Sequence, residues 1–383
     1  MWRLSILALG AFSLGTDLFV IAGTMPELVR DMGVTATRGG WLVSVFAFTY
    51  ALASPLLAVA TGSLDRRSVL TASLCVFCVA NVISATASAY EPLLASRILA
   101  ALGAALYMPT ASALAVSLVP EAKRGRALSV VTGGLTVALV LGVPLGTWIA
   151  GYAGWRATFW FIVLVCFVAL PGIRLWIPRV KSATPIGLRA RMALLKQPEV
   201  FVALSLTVLW TAGGFTVYPY LASLLTQLTH LALTDIGWIL LLFGAASVGG
   251  NFIGGFGADR WGTTATIASA LALMAATLAT LTWSAAHLAT LVLSVVSWGI
   301  AGWMLTPPQQ HRLIGLAPEI PGAILGLNGS AIYLGMGIGT AVGGAVAQRA
   351  SVHGFSWAGG AFELVALLIM FAWGALRKPR PAT

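Results

Sequence analysis

The sequence predicts an all-α membrane protein of twelve transmembrane helices, arranged as two pseudo-symmetric six-helix halves. Three observations carry this: extreme apolarity, apolar runs of membrane length along the whole chain, and short motifs that recur in both halves. Hydrophobic residues make up 59% of the 383 and charged residues only 9%, with a mean hydropathy of +0.93. A water-soluble domain so poor in charge would aggregate, so lipid is the solvent for most of the chain. The runs match the roughly 20 residues a helix needs to cross a bilayer. A transmembrane β-barrel would instead show short alternating segments.

In chain order the expected spans are 4–24, 40–61, 69–88, 92–119, 127–150 and 155–177, then 200–228, 235–256, 264–284, 288–309, 322–348 and 354–376. No cleavage site of small residues follows the first run, so it reads as a retained span rather than a signal peptide. The longest polar interval, 178–199, carries Arg179, Lys181, Arg189, Arg191 and Lys196, and it separates an N-terminal half, 1–177, from a C-terminal half, 200–383. Seventeen of the 22 Lys and Arg residues fall on the side of the termini and four on the other, with Arg97 alone inside a span. The bias of basic loops toward the cytoplasm then puts both termini there. It also explains the net charge of +11 without nucleic acid as a partner. Cys75 and Cys78 form a C-x-x-C pattern inside an apolar helix, with no polar neighbour to activate a thiolate, and read as small packing residues.

The halves echo one another. Gly62-Ser63-Leu64-Asp65-Arg66-Arg67 follows the second span, and Gly257-Ala258-Asp259-Arg260-Trp261-Gly262 follows the eighth. Gly134, Gly142 and Pro144 in the fifth span are echoed by Gly329, Gly337 and Gly339 in the eleventh, at an offset of 195 for the first two glycines. Parallel halves related by an axis along the membrane normal describe a secondary transporter.

Asp17 is the sole charge between Arg3 and Glu27. A charge at the centre of a membrane helix costs roughly 2.5–3.5 kcal/mol on insertion scales, so such a residue is protonated, paired or facing water. The first span ends near Thr24, about 10 Å beyond Asp17 at the helical rise, and the fourth begins near Pro92, about 8 Å before Arg97. The two charges therefore fall at similar depth.

Four stretches resemble the major facilitator superfamily, within it the drug/proton antiporter branch, and most of all its sugar-efflux, arabinose-efflux and chloramphenicol-resistance group. They are Gly15-Thr16-Asp17-Leu18-Phe19-Val20 with Met25-Pro26-Glu27, and Ser96-Arg97-Ile98-Leu99-Ala100-Ala101-Leu102-Gly103. The third is Leu141-Gly142-Val143-Pro144-Leu145-Gly146-Thr147 leading to Gly154-Trp155-Arg156-Ala157-Thr158-Phe159, and the fourth is Leu327-Asn328-Gly329-Ser330 running into Gly335-Met336-Gly337-Ile338-Gly339. The chain departs from the pattern at the Asp65-Arg66-Arg67 loop, which is abbreviated. It departs again at Asp17, where relatives often carry Glu, and at Tyr333, where they often carry Asn.

The resemblance implies the major facilitator fold, with spans one and four lining a central cavity. Asp17 is then expected as the exchanging proton site and Arg97 as the partner that favours its ionised form when close. The competing reading is a permanently closed structural ion pair. Gly142, Pro144 and Gly146 resemble the antiporter motif of efflux members, as close-packing residues or as part of a flexing gate. Asp65, Arg66, Arg67, Asp259 and Arg260 are candidate conformational latches, or ordinary basic-loop charge. Candidate cargo contacts are Met108, on the face of Arg97, Trp210 and Tyr218 on one face of span seven, and Gln309, Gln310, Asn328 and Tyr333; each competes with simple packing. Glu363 is the other intramembrane acid, in a span the resemblance makes peripheral.

No phosphate-binding G-x-x-x-x-G-K-[ST] loop and no H-E-x-x-H motif occurs, so neither ATP, a metal nor a cofactor is expected. The reading that follows is a monomeric, non-enzymatic exporter in a bacterial inner membrane, surrounded by lipid. It would exchange protons for a small neutral or amphiphilic molecule such as a chloramphenicol-like drug or a sugar. A proton-coupled importer on the same fold and a non-transporting sensor or scaffold are the alternatives.

Overall fold

A computed structural model describes residues 2–120, 123–180, 187–229, 231–349 and 351–376. Lys181, His230, Arg377, Lys378 and Arg380 lie outside the described residues. Among those described the chain is all-helical, with twelve helices long and apolar enough to span a bilayer. They are α1 (Trp2–Asp31), α2 (Ala36–Ala60), α3 (Arg66–Thr86), α4 (Tyr90–Ser117), α5 (Arg124–Ala153), α6 (Trp155–Trp176), α7 (Pro198–Thr229), α8 (Leu233–Arg260), α9 (Thr263–Ser284), α10 (Leu288–Leu316), α11 (Pro321–Arg349) and α12 (His353–Leu376). A short helix, Leu188–Leu194, lies between α6 and α7. Large apolar side chains such as Leu164, Phe167, Phe252 and Leu368 remain exposed on the helix surfaces, as lipid-facing positions require.

The helices outrun the expected spans. α1 continues seven residues past Thr24 to Asp31, through Pro26. Proline lacks the N–H that would bond back along the helix but does not here end it. Two helices are irregular inside. α5 widens to a π-turn at Ala138–Gly142, ending two residues before Pro144. α7 tightens to a 3₁₀ turn at Tyr218–Tyr220, around Pro219. α10 breaks at Leu305, where Pro307 and Pro308 follow.

The residues cluster into two compact units, Met1–Leu188 with Tyr218–Gly244, and Arg189–Val217 with Ala245–Thr383. The unit boundary thus falls inside α7 and α8 rather than only in the linker. In the first unit the segment from Tyr218 to Gly244 is packed on α1, α2 and α5. The Tyr218 ring lies 6.0 Å from that of Phe19, Trp148 meets Trp238 at 4.9 Å, and the Trp148 indole donates to the Thr234 carbonyl at 3.0 Å.

Candidate functional site

α1 and α5 approach closely because α5 presents small residues at every fourth position. A Cβ at Gly134 would strike the Ala8 carbonyl, one at Gly142 the Thr16 hydroxyl, and one at Gly146 the Val20 side chain. Ala138 lies against Gly15 between them. The antiporter-like glycines therefore have a packing function on the helix that carries Asp17. In the second unit Gly335 and Gly339 of α11 do the same against α7, at the Val208 and Ala212 carbonyls. The equivalence by contact is Ala8–Gly134 with Val208–Gly335, whose members stand 200 and 201 residues apart. The offset of 195 expected from sequence is not the packing register: Gly329 has nothing within 4 Å of a built Cβ.

This close contact sets the backbone around Asp17, which is fully buried in the middle of α1. Arg97, buried in α4, donates from Nη1 to Oδ1 at 2.8 Å and from Nη2 to Oδ2 at 2.7 Å. The expected pair is formed, and it is a two-pronged, charge-assisted interaction of the strongest hydrogen-bonding type. The guanidinium lies 5.1 Å from the Phe46 ring and 5.9 Å from Phe159, which give it aromatic walls in place of water. Arg97 Nε has no hydrogen-bond partner. Two hydroxyls, Thr16 and Ser13, are tied to their own helix at the carbonyls of Phe12 and Gly10. The pair is thus buried, and both carboxylate oxygens are held by one cation.

A second polar cluster lies in the second unit. Gln309 donates from Nε2 to the Ala203 carbonyl at 2.6 Å and to Thr207 Oγ1 at 2.9 Å, and the Thr207 hydroxyl donates to Asn328 Oδ1 at 2.9 Å. Two of the expected cargo contacts, Gln309 and Asn328, are therefore brought together, joined by Thr207. Sequence reading missed Thr207, because nothing in the sequence sets it apart from Thr211 and Thr216 of the same span. Gln310 points to the exposed side of α10 instead, and Met108 and Tyr333 are half-buried on α4 and α11. Trp210 and Tyr218 are both buried; the α-helical part of α7 runs unbroken from Trp210 to Val217, and Tyr218 opens the 3₁₀ turn around Pro219.

The loop charges behave unequally. Asp65 caps α3 by accepting from the Ser68 N–H and hydroxyl, and its other oxygen accepts from the Val180 N–H at 3.0 Å. The Arg66 N–H donates to the Val180 carbonyl, and Arg67 Nη1 donates to the carbonyls of Arg174 and Ile177. This loop fastens the start of α3 to the end of α6. Burial pushes the Asp65 carboxyl up, but the bonds from Ser68 and Val180 and the charge of Arg67 outweigh it and hold it below its ordinary range. The echo in the second unit makes no such joint. Asp259 and Arg260 are exposed, with the Arg260 guanidinium 5.8 Å from the Phe256 ring of its own helix.

At the other end of the first unit, Gly154 has φ +85°, a left-handed turn that favours glycine, and it positions Trp155 and Arg156. Both donate to Asp31 Oδ2, at 3.1 and 2.6 Å, while Arg156 also reaches the Ala87 carbonyl. The Gly154-Trp155-Arg156 stretch is therefore a clasp joining the ends of α1, α3 and α6. A small cavity of about 190 Å³ beside it is lined by Glu27, Arg30 and these residues.

The sequence matches the Major Facilitator Superfamily over residues 7–223 and again over 204–383. The chain belongs to that superfamily. Among its relatives is a chloramphenicol resistance protein of Streptomyces lividans, 34% identical over 96% of this chain and 95% of that protein. The inner membrane transport protein YdhP of Escherichia coli K12 is 31% identical over 99% and 97%. An uncharacterized transporter of the superfamily from Bacillus subtilis, YbcL, is 31% identical over 96% and 94%. A solved bacterial homologue of the human lysosomal transporter Spinster shares the fold with a TM-score of 0.79 at 16% identity, covering 100% of this chain and 98% of that one. The human organic anion transporter MFSD10 does so with 0.70 at 18% identity, covering 96% and 98%. Like other members of the superfamily, this chain is a multi-pass membrane transporter and not an enzyme.

Proposed function

We propose that this transporter is a proton-driven exporter of the bacterial inner membrane, acting as a monomer with both termini in the cytoplasm. The six-helix halves, 1–177 and 200–383, alternate access to a small neutral or amphiphilic cargo. The observation that carries the reading is the buried, two-pronged Asp17–Arg97 pair. In the ionised state the carboxylate is neutralised by Arg97 at two oxygens. A proton arriving on Asp17 removes the charge that holds the guanidinium, so the two prongs weaken together and α1 and α4 are released to rearrange. When the proton leaves toward the cytoplasm, the pair re-forms. A potential of 100 mV supplies about 2.3 kcal/mol per charge, roughly a 50-fold cargo gradient per proton. The relative named for chloramphenicol resistance supports an amphenicol-like drug as cargo.

The test is transport in proteoliposomes with an imposed pH gradient and labelled chloramphenicol as the first probe. Chloramphenicol is expected to move against the proton flux, and Asp17→Asn to abolish uphill movement. Cargo moving with protons overturns the exporter reading in favour of import, and uphill transport by Asp17→Asn overturns the proton-site assignment.

A further inference from the structure

Glu363 of α12 is fully buried, and neither carboxyl oxygen has a hydrogen-bond partner. It sits where α12 crosses α7. A Cβ built on Gly213 would collide with Glu363 Oε1 and come within 3.0 Å of the Gly359 carbonyl. A Cβ on Gly359 would in turn meet the Gly213 carbonyl and Val217 at 3.2 Å. The two glycines therefore carve a niche that one carboxyl group fills.

Among the described residues no cation reaches that niche. Of the elements packed on α12, α9 carries no Asp, Glu, Lys, Arg or His. α7 has only Glu199, fourteen residues before Gly213, and α11 only Arg349, at its last residue. On α12 itself His353 stands ten residues earlier, bonded to Thr282 of α9. The tyrosines of these elements are Tyr333 on α11 and, beyond the niche on α7, Tyr218 and Tyr220. An ionised carboxylate without a counter-charge is not stable in such a place, so the group filling it is the neutral acid. To lose its proton to water the carboxyl has to leave the niche, and α7 has to part from α12 at Gly213. Val217, one turn on, is the last residue before α7 tightens to 3₁₀ and passes into the other unit.

We propose that Glu363 is a second proton-binding site, and that its protonation holds α7 against α12 at Gly213, one turn from the break in α7. The site is independent of the role given to Asp17, and the experiment separates the two. Purified protein in lipid is followed by infrared spectroscopy for the carbonyl stretch of a protonated carboxyl, and by hydrogen exchange of peptides covering 207–217. At neutral pH the band is expected in the wild type and in Asp17→Asn, and is lost in Glu363→Gln, whose amide mimics the neutral acid and preserves the contact. Raising the pH is expected to abolish the band reversibly and to speed exchange in 207–217, with no such response in Glu363→Gln. Gly213→Ala fills the niche and is expected to move the titration to lower pH. A band that survives Glu363→Gln, one that never titrates while the protein stays folded, a titration that leaves exchange in 207–217 unchanged, or a midpoint unmoved by Gly213→Ala each overturns the proposal.

Discussion

Removing either half of the Asp17–Arg97 pair strands the other. Both side chains are essentially inaccessible, and each carboxylate oxygen has its own guanidinium donor. Arg97→Gln leaves Asp17 without a counter-charge, and Asp17→Asn leaves the guanidinium without one. Breaking a buried pair from one side costs about 3–5 kcal/mol, whereas removing both charges is close to neutral. Asp17→Asn, Arg97→Gln and the double variant thus form a cycle in which the double is more stable than either single, with a coupling energy on the order of 3 kcal/mol. Thermal unfolding of the purified proteins, followed by the intrinsic tryptophan signal, reads this directly. Additive effects would show that the two charges do not interact in the folded protein. The cycle also separates a moving pair from a static one, because the stable double variant can be assayed for transport. Loss of uphill export is expected from it. A double variant that still concentrates cargo would reduce the pair to a structural strut.

Adjacent glycines of α5 provide a sharp comparison: Gly134→Ala pushes a methyl into the Ala8 carbonyl and is expected to cost about 1–3 kcal/mol of stability, while Gly133→Ala, with nothing within 4 Å, is expected to be neutral in the same melting assay. Thr207→Val removes the link between Gln309 and Asn328 while keeping the shape, so about 1–3 kcal/mol should be lost to buried polar groups left unpaired, and an unchanged melting temperature would contradict the cluster. For Asp65 the folded value lies below the ordinary one near 3.8, so its contribution is present above that pH and is lost as the pH falls through the folded value. Hydrogen exchange at Val180 should therefore quicken on acidification through that range, and in Asp65→Asn at neutral pH.

Much of this was legible because lipid is a demanding solvent. Twelve spans follow from apolar run length, and the Asp17–Arg97 pair followed from depth counting, since a regular helical rise converts residue number into height. α1 itself runs on to Asp31, seven residues past the Thr24 from which that depth was counted. The glycine-rich character of α5 was visible, but its partner atoms were not, since they depend on which helix lies opposite. Register between the halves was misjudged for that reason: matching glycines by spacing chose Gly329, while contact chooses Gly335. Pro219, which cannot bond back along the helix, takes α7 into a 3₁₀ turn that begins only at Tyr218. The niche of Glu363 was invisible for a deeper reason: its walls come from Gly213 and Gly359, residues with no side chain to announce them.

The chain enters the first unit twice, once as 1–188 and again as the excursion from Tyr218 to Gly244. A protein made as two separate polypeptides, divided in the linker after Val180, would therefore still have to pack part of its second piece within the first unit. Trp238 against Trp148, and the indole bond to Thr234, are contacts that the two pieces would have to re-form. The first unit therefore includes residues as late in the chain as Gly244.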